Sequence, residues 1–393
     1  MTNPVTPSRS ISSTLARLAS PTAASSISAA EIALDLSHIF RNEVSPVQAG
    51  ILLYALHLTK LDRDPDVLAA CASAMRDVAA QVDQNVLYRV VNQRGKAKGG
   101  YGGGLVGTGG DGHSTFNVST TASILASPLL MIAKHGNNAS TSKSGSADFL
   151  QATQPAAPSI DAITAYTLPR VYEKSNYAFL YAKVWHPGMR FAAPIRKELS
   201  PIRTIFNLLG PLANPVADTG LVEAQMVGVM TPELGPIFVN ALKLSGANKA
   251  LVVCGAEKLD ELSCAGPSYC WRLRNGEIDH FVLSPSDFGL STHPLSEVGG
   301  GKEPAENAEI LMRILRNELP RDDPILHFVL LNTAALLVTA GVCDVDESDT
   351  VRETGPGSGR WKEGIRRARW CIESGAALRE WEAFVEVSNS LVT

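Results

Sequence analysis

The chain has 393 residues, of which 45% are hydrophobic and 19% are charged, and its formal net charge is −4. This composition is typical of a globular protein with two or three domains. The small negative charge, without a long run of Lys or Arg, argues against nucleic-acid and anionic-membrane partners. The six cysteines form no CxxC pair, so the sequence predicts neither a zinc site nor a disulfide scaffold and favours the reducing cytoplasm.

The first segment, residues 1–27, contains Arg9 and Arg17, many Ser, Thr and Ala residues, and no acidic residue. This composition fits a mitochondrial presequence, although two basic residues are few for one. It fits a disordered N-terminal tail at least as well. We therefore predict a disordered or targeting tail over 1–27, with cytoplasmic localisation favoured and mitochondrial targeting left open.

Helix-start signals follow the tail. Ser28, Ser45 and Asp64 each precede an apolar pattern at helical spacing, and Glu, Gln or Pro residues strengthen these starts. A later segment, residues 168–209, also has a helical pattern. We predict a small helical domain formed by residues 28–95 together with residues 164–215.

The pattern changes after the glycine-rich segment 95–104, which we interpret as a mobile loop at a domain boundary. Short apolar strands then alternate with Gly-rich turns and helices. This predicts a larger α/β domain, formed by residues 96–163 and 216–393, around a central and mostly parallel sheet. The most apolar stretch, residues 325–342, includes four polar side chains and predicts a buried helix rather than a membrane span.

The first chemical signal is the sequence GTGGD, residues 107–111, followed by NVST, residues 117–120. It stands between an apolar strand and a predicted helix. Glycines let backbone N–H groups approach an anion, and the helix N-terminus adds positive potential, so this pattern favours phosphate binding. A tight turn alone would explain it equally well. The pattern is neither GxGxxG nor a P-loop, which argues against a dinucleotide fold or a Walker site.

The second signal is KHGN, residues 134–137, followed by STSKSGS, residues 140–146, again after an apolar strand. Its two lysines and five hydroxyls suit a pyrophosphate, although a solvated polar loop has the same composition. Two such loops after successive strands favour the functional interpretation, because open α/β sheets bind ligands at the carboxyl ends of their strands.

Two further segments carry charged side chains. Asp260 and Glu261 follow a third apolar strand, and adjacent carboxylates there suit Mg²⁺ shared with substrate phosphates, or are only solvated surface. His186-Pro187 is followed by Arg196 and Arg203. A guanidinium is a natural partner for a substrate carboxylate, although either arginine could instead form an ordinary ion pair.

Together these motifs, with FNLLGPLANP (206–215) and LDELS (259–263), resemble anthranilate phosphoribosyltransferases from about residue 30 to the C-terminal helix. The resemblance implies a Mg²⁺-dependent homodimer, associated through its helical domain. It also implies transfer of the phosphoribosyl group of phosphoribosyl pyrophosphate (PRPP) to anthranilate in tryptophan biosynthesis. The products are N-(5-phosphoribosyl)anthranilate and pyrophosphate.

Residue by residue, the resemblance implies three sets of contacts and no dedicated catalytic residue. The residues implied for PRPP are Gly107, Gly110, Asp111, Thr115, Asn117, Ser119, Thr120, Lys134, Ser142, Lys143 and Ser146. Those implied for anthranilate are Gly107, Asn137, His186 and Arg196. Those implied for Mg²⁺ are Ser119, Asp260 and Glu261, with Lys134 and the metal stabilising the transition state.

Three features depart from the family pattern, and one of them is the glycine-rich insertion over residues 95–104. Asn138 stands where an arginine is usual, and Trp185 replaces the first histidine of His-His-Pro. A pyrimidine nucleoside phosphorylase is the leading alternative, since it is similar in fold and shares a glycine-rich turn and a KH-type loop. A non-catalytic protein of the same fold is the other alternative.

Overall fold

The computed structural model describes residues 9–24, 26–94, 101–107, 111–139, 143–300 and 303–392. The helices before the first strand are α1 (Ser12–Leu18), α2 (Pro21–Ala24), α3 (Ala29–Phe40), α4 (Pro46–Thr59), α5 (Pro65–Asp77) and α6 (Gln84–Gln93). The side chains of Ser28, Ser45 and Asp64 accept backbone hydrogen bonds at the starts of α3, α4 and α5. The three predicted helix starts are confirmed.

The first helix is at odds with disorder over the described part of the predicted tail, while the targeting alternative stays a prediction. Ile11 and Leu18 are buried in the apolar core that also holds α3, α4 and α5. Arg17 forms a 2.6 Å ion pair with Glu31 of α3. Ile11 and Leu18 are seven residues apart and therefore lie on one helix face, and their burial outweighs the Ser- and Ala-rich composition of the segment.

The strands are β1 (Tyr101–Gly107), β2 (Met131–Gly136), β3 (Tyr177–Tyr181), β4 (Val222–Gly228), β5 (Lys249–Gly255), β6 (Ser268–Arg274) and β7 (Glu277–Leu283). They form one sheet in the order β3-β2-β1-β4-β5-β6-β7. The pairs from β3 to β5 are parallel, whereas β6 and β7 join as antiparallel strands. The predicted central, mostly parallel sheet is confirmed. The predicted loop over 95–104 is wrong at residues 101–104, which belong to β1, and residues 95–100 lie outside the described residues.

The later helices cover the sheet. They are α7 (Val118–Ala126), α8 (Ser146–Gln151), α9 (Leu168–Tyr172), α10 (Ala182–Trp185), α11 (Met189–Leu199), α12 (Phe206–Leu209), α13 (Leu234–Leu244), α14 (Pro304–Leu315), α15 (Pro324–Ala340), α16 (Trp361–Glu373) and α17 (Ala376–Ser390). Alternate residues of β5 face opposite sides, as strand geometry requires. Leu251 and Val253 pack in the core with α7, α15 and α16, and Ala250 and Val252 pack in the core with α3, α4 and α5. The sheet thus contributes to both cores.

The segment 164–215, which was predicted as part of the helical domain, also contains a strand. Residues Tyr177–Tyr181 form the edge strand β3, with every side chain buried, beside β2. This run of five apolar and aromatic residues has no polar face, and such a run suits a strand buried on both sides better than a surface helix. The outer domain boundaries stay a prediction.

The apolar stretch 325–342 forms the buried helix α15, as predicted, with His327, Asn332 and Thr333 all inside the core. Within the part of the chain that the structure describes, no helix has the length and apolar character needed to span a membrane. The cytoplasmic location stays a prediction.

Candidate active site

The predicted functional segments meet at one edge of the sheet. Gly107 ends β1, Lys134 lies near the end of β2, and Asp260 and Glu261 follow β5. These strands are parallel, so their carboxyl ends lie at the same edge, where open α/β sheets bind ligands.

Two glycines at this edge make room for Asp260. A β-carbon added to Gly107 would overlap the Asp260 carboxylate, and one added to Gly228 would overlap the Asp260 backbone. The Asp260 N–H also donates to Asp111 Oδ2 at 3.4 Å. The glycines therefore let the loop after β5 lie directly over the ends of β1 and β4.

Two ionisable side chains, Lys134 and Glu261, are buried at this edge of the sheet. Burial, together with repulsion from Asp260 and Asp111, raises the pKa of Glu261 well above its ordinary value. Burial lowers the pKa of Lys134 to about 8, and the attraction of Glu261 opposes that shift. Each group is therefore costly to keep charged in the free protein, and a ligand that supplies the missing counter-charge would be favoured there.

The donor groups fit a hard divalent cation. Glu261 Oε2 is buried and has no hydrogen-bond partner among the described residues, and the backbone of Ser119 hydrogen-bonds with Glu261. No three His, Cys, Asp or Glu side chains of the described ranges stand close enough to hold a metal by themselves. This suits Mg²⁺, which usually takes one or two carboxylates and completes its shell with phosphate oxygens and water.

The rest of the first loop lies at the start of α7. Ser119 and Thr120 are in its first turn, and Thr115 makes a backbone bridge to Gly299. Asn117 Nδ2 donates to the Ser144 carbonyl at 3.0 Å, so the Asn117 amide joins the first loop to the second. Gly110 lies outside the described residues.

In the second loop, Asn137 and Ser146 are hydrogen-bonded to each other. The Asn137 N–H donates to Ser146 Oγ at 3.2 Å, and Ser146 Oγ lies 3.1 Å from the Asn137 carbonyl. Lys143 is exposed in the same loop, and Ser142 lies outside the described residues. The structure thus joins two of the predicted residues, Asn137 and Ser146, in the loop after β2.

The two residues predicted for the acceptor differ in their surroundings. His186 is 3% exposed, and its Nε2 lies 2.9 Å from the Ala213 carbonyl. Burial lowers its pKa to about 4, so the ring is neutral at pH 7. Arg196 is half-buried in the last turn of α11, with its guanidinium 5.5 Å from the centre of the Phe206 ring. Burial lowers the pKa of the Arg196 guanidinium, and no carboxylate of the described residues forms a salt bridge with it.

Sequence reasoning missed several contacts in and around the site, including those of Trp185, which it noted only as a departure from the family pattern. Phe206 supports Arg196, and His113 Nε2 lies 2.9 Å from the Glu257 carbonyl, which joins the first loop to the loop after β5. Trp185 is a core residue whose Nε1 donates to the Ile163 carbonyl at 2.9 Å. A spacing or composition signal could not have identified these contacts, because each joins segments distant in sequence.

The chain matches the glycosyl transferase family in both of its parts. The a/b domain of that family matches residues 104–378, and its helical bundle domain matches residues 14–79. The second match begins inside the segment that was predicted to be a tail. The fold and the site thus define a glycosyl transferase family enzyme with a helical bundle and an α/β domain.

Similar proteins narrow this class. The chain is 39% identical to the anthranilate phosphoribosyltransferase of Schizosaccharomyces pombe, over 90% of this chain and 91% of that protein. The Saccharomyces cerevisiae enzyme in complex with PRPP and Mg is 31% identical, with a TM-score of 0.81 and coverage of 97% and 99% of the two chains. Its complex with 4-fluoroanthranilate has a TM-score of 0.79 at 30% identity, covering 96% and 97%. The chain belongs to the anthranilate phosphoribosyltransferase family.

Proposed function

We propose that the chain transfers the phosphoribosyl group of PRPP to the amine of anthranilate, with Mg²⁺, in tryptophan biosynthesis. The observation that carries this proposal is the buried Lys134, which is attracted by the buried Glu261 next to Asp260 at the strand ends. A cation and a pair of carboxylates in one buried place need a ligand that carries both a metal and phosphates. Membership of the family and the ligands named for its yeast member support the same reaction. The phosphorylase alternative has no such support.

In the reaction, the bond from ribose C1 to the pyrophosphate oxygen breaks and a bond from C1 to the anthranilate nitrogen forms. The aromatic amine is neutral at pH 7, so its attack needs no strong base, and its extra proton leaves to solvent or to the pyrophosphate. Mg²⁺, when bound, offsets the negative charge of the leaving pyrophosphate. Lys134 supports the same charge from a fixed position, and the enzyme's main contribution is orientation of the two substrates.

We assign the contacts as follows, with no side chain as general acid or base. The PRPP contacts are Gly107, Gly110, Asp111, Thr115, Asn117, Ser119, Thr120, Lys134, Ser142, Lys143 and Ser146. The metal contacts are Ser119, Asp260 and Glu261. The anthranilate contacts are Gly107, Asn137, His186 and Arg196, and the Nε2 of His186 also lies 2.9 Å from the Ala213 carbonyl.

Isothermal titration with PRPP and Mg²⁺ separates the candidate functions. A transferase should bind PRPP in a Mg²⁺-dependent manner, and pyrophosphate should appear only after anthranilate is added. A phosphorylase should instead bind inorganic phosphate and cleave a pyrimidine nucleoside without metal. Absence of PRPP binding would refute the proposal.

We also propose that the chain forms a homodimer through helix α4. Val47, Ile51, Tyr54 and Leu58 are exposed and recur at spacings of four, three and four residues, so they lie on one face of α4. The opposite face of the same helix is buried against the core of its own chain. A helix that is apolar on both faces is expected to be covered on both. A second copy of the same helix is the occupant that a two-fold axis would provide.

The substitution Leu58→Lys should therefore convert the dimer to a monomer, because a charge would be buried in an apolar contact. Sedimentation velocity should show roughly half the mass at micromolar concentration. The matched control is Leu244→Lys, which changes another exposed leucine in the last turn of a helix, α13. Leu244→Lys should stay dimeric. Dimers in both variants would contradict the interface, and so would a monomeric unmodified protein.

A further inference from the structure

The Asp148 carboxylate holds the two ends of one segment of the second loop. Asp148 lies in the first turn of α8, and its Oδ2 accepts the N–H of Ala139 at 2.7 Å and that of Gly145 at 3.0 Å. Its Oδ1 accepts the side-chain amide of Asn138. Burial alone would raise the pKa of Asp148, but these hydrogen bonds bring it below its ordinary value. The carboxylate is therefore ionised at neutral pH and accepts strong hydrogen bonds.

Asn138 joins this carboxylate to the neighbouring strand. The Asn138 Oδ1 accepts the hydroxyl of Tyr181, while its Nδ2 donates to Asp148. Tyr181 is the last residue of β3 and lies in register with Gly136, the last residue of β2. The Tyr181 side chain is 3% exposed, so water competes little for the bond. We call Asn138, Asp148 and Tyr181 the loop clamp.

The loop clamp lies beside groups that we assign to the substrates. Asn137 precedes Asn138 and is hydrogen-bonded to Ser146. Lys143 is two residues before Gly145, one of the two N–H groups that Asp148 holds. Backbone groups that are held in place before binding, such as those of Ala139 and Gly145, lose less conformational entropy when a ligand binds, which improves affinity without any new contact. The clamp is therefore placed to set the affinity for the ligand of this loop.

We propose that Asn138 and Tyr181 are positioning residues for PRPP, which hold Lys143 and Ser146 where the pyrophosphate binds. The proposal rests on the proposed function, and it assigns a positioning role to Asn138, which stands where the family usually has an arginine. Neither residue touches the reacting atoms. Removal of either side chain should consequently weaken the binding of PRPP. The bound complex should react at nearly the same rate, because PRPP makes the same contacts once it is bound.

The test is Tyr181→Phe, which removes only the hydroxyl that donates to Asn138 Oδ1 and that also interacts with Lys183. The KM for PRPP should rise about three- to tenfold, the usual effect of one lost hydrogen bond. The kcat and the KM for anthranilate should change by less than about twofold. Tyr177→Phe is the matched control, since Tyr177 is buried in the same strand and its hydroxyl has no hydrogen-bond partner among the described residues. It should leave all three constants unchanged.

A second variant, Asn138→Ala, should raise the KM for PRPP by a similar factor. It replaces Tyr181→Phe in this test if Tyr181→Phe does not fold. The double variant should raise the KM for PRPP little more than the stronger single variant does, because both substitutions break the same loop clamp. The same KM for PRPP in Tyr181→Phe and Tyr177→Phe would overturn the proposal. The proposal would also be overturned if kcat fell and both KM values rose by the same factor. An unmodified protein without transferase activity would refute the proposed function instead.

Discussion

The double substitution Asp260→Asn and Glu261→Gln is expected to raise the Mg²⁺ concentration for half-maximal rate by about a hundredfold or more. Removal of groups that only support metal ligands already costs about 10–100-fold in affinity, and these carboxylates are proposed as ligands themselves. The measurement is a Mg²⁺ titration of the initial rate at saturating PRPP and anthranilate.

The fold should survive this change. Burial and the neighbouring carboxylates Asp260 and Asp111 raise the pKa of Glu261, so the ionised group is unfavourable in the metal-free protein. Without Mg²⁺, the free energy of unfolding of the double variant should not fall. A matched control removes two acidic groups from the edge strand β7, by Glu277→Gln and Asp279→Asn. An identical Mg²⁺ titration in the site variant and the control would contradict the metal assignment.

Arg196→Ala should weaken the binding of anthranilate roughly ten- to hundredfold, because a lost hydrogen bond between charged groups costs about 1.5–3 kcal/mol. PRPP should be affected much less, since Arg196 lies on α11 rather than at the strand ends. The measurement compares the KM values of both substrates, and titration with an unreactive anthranilate analogue checks the binding itself.

The neighbouring substitution Lys197→Ala is the control for net charge and helix propensity. Lys197 is exposed in the same last turn of α11, so its removal should leave both KM values within about twofold. Equal weakening of both substrates by Arg196→Ala would show that the arginine supports the fold rather than the acceptor. No weakening of either would reject its contact with the carboxylate.

Local signals predicted much of the architecture because they act over a few residues. The caps at Ser28, Ser45 and Asp64 and the buried helix α15 follow from hydrogen bonding and apolar content near each position. The strand ends with glycine-rich turns predicted where the site would form. Strand β3 was missed, since five buried residues have no periodicity that separates strand from helix.

The contacts within the site required the structure. The sequence showed only that Asn138 stands where an arginine is usual. Its hydrogen bonds to Asp148 and Tyr181 depend on how β2 and β3 pair. The burial of His186 depends on the loop that carries Ala213. Neither is encoded by residue spacing, because the partners are brought together only by the completed sheet.

The most direct test of the central claim follows the fluorescence of anthranilate in the presence of the protein, PRPP and Mg²⁺. We expect the fluorescence to fall with time, with one pyrophosphate released for each anthranilate consumed, and the fall should stop when Mg²⁺ is chelated. Constant fluorescence with all components present, or consumption of PRPP that does not depend on anthranilate, would contradict the assignment of this chain as a phosphoribosyl transferase acting on anthranilate.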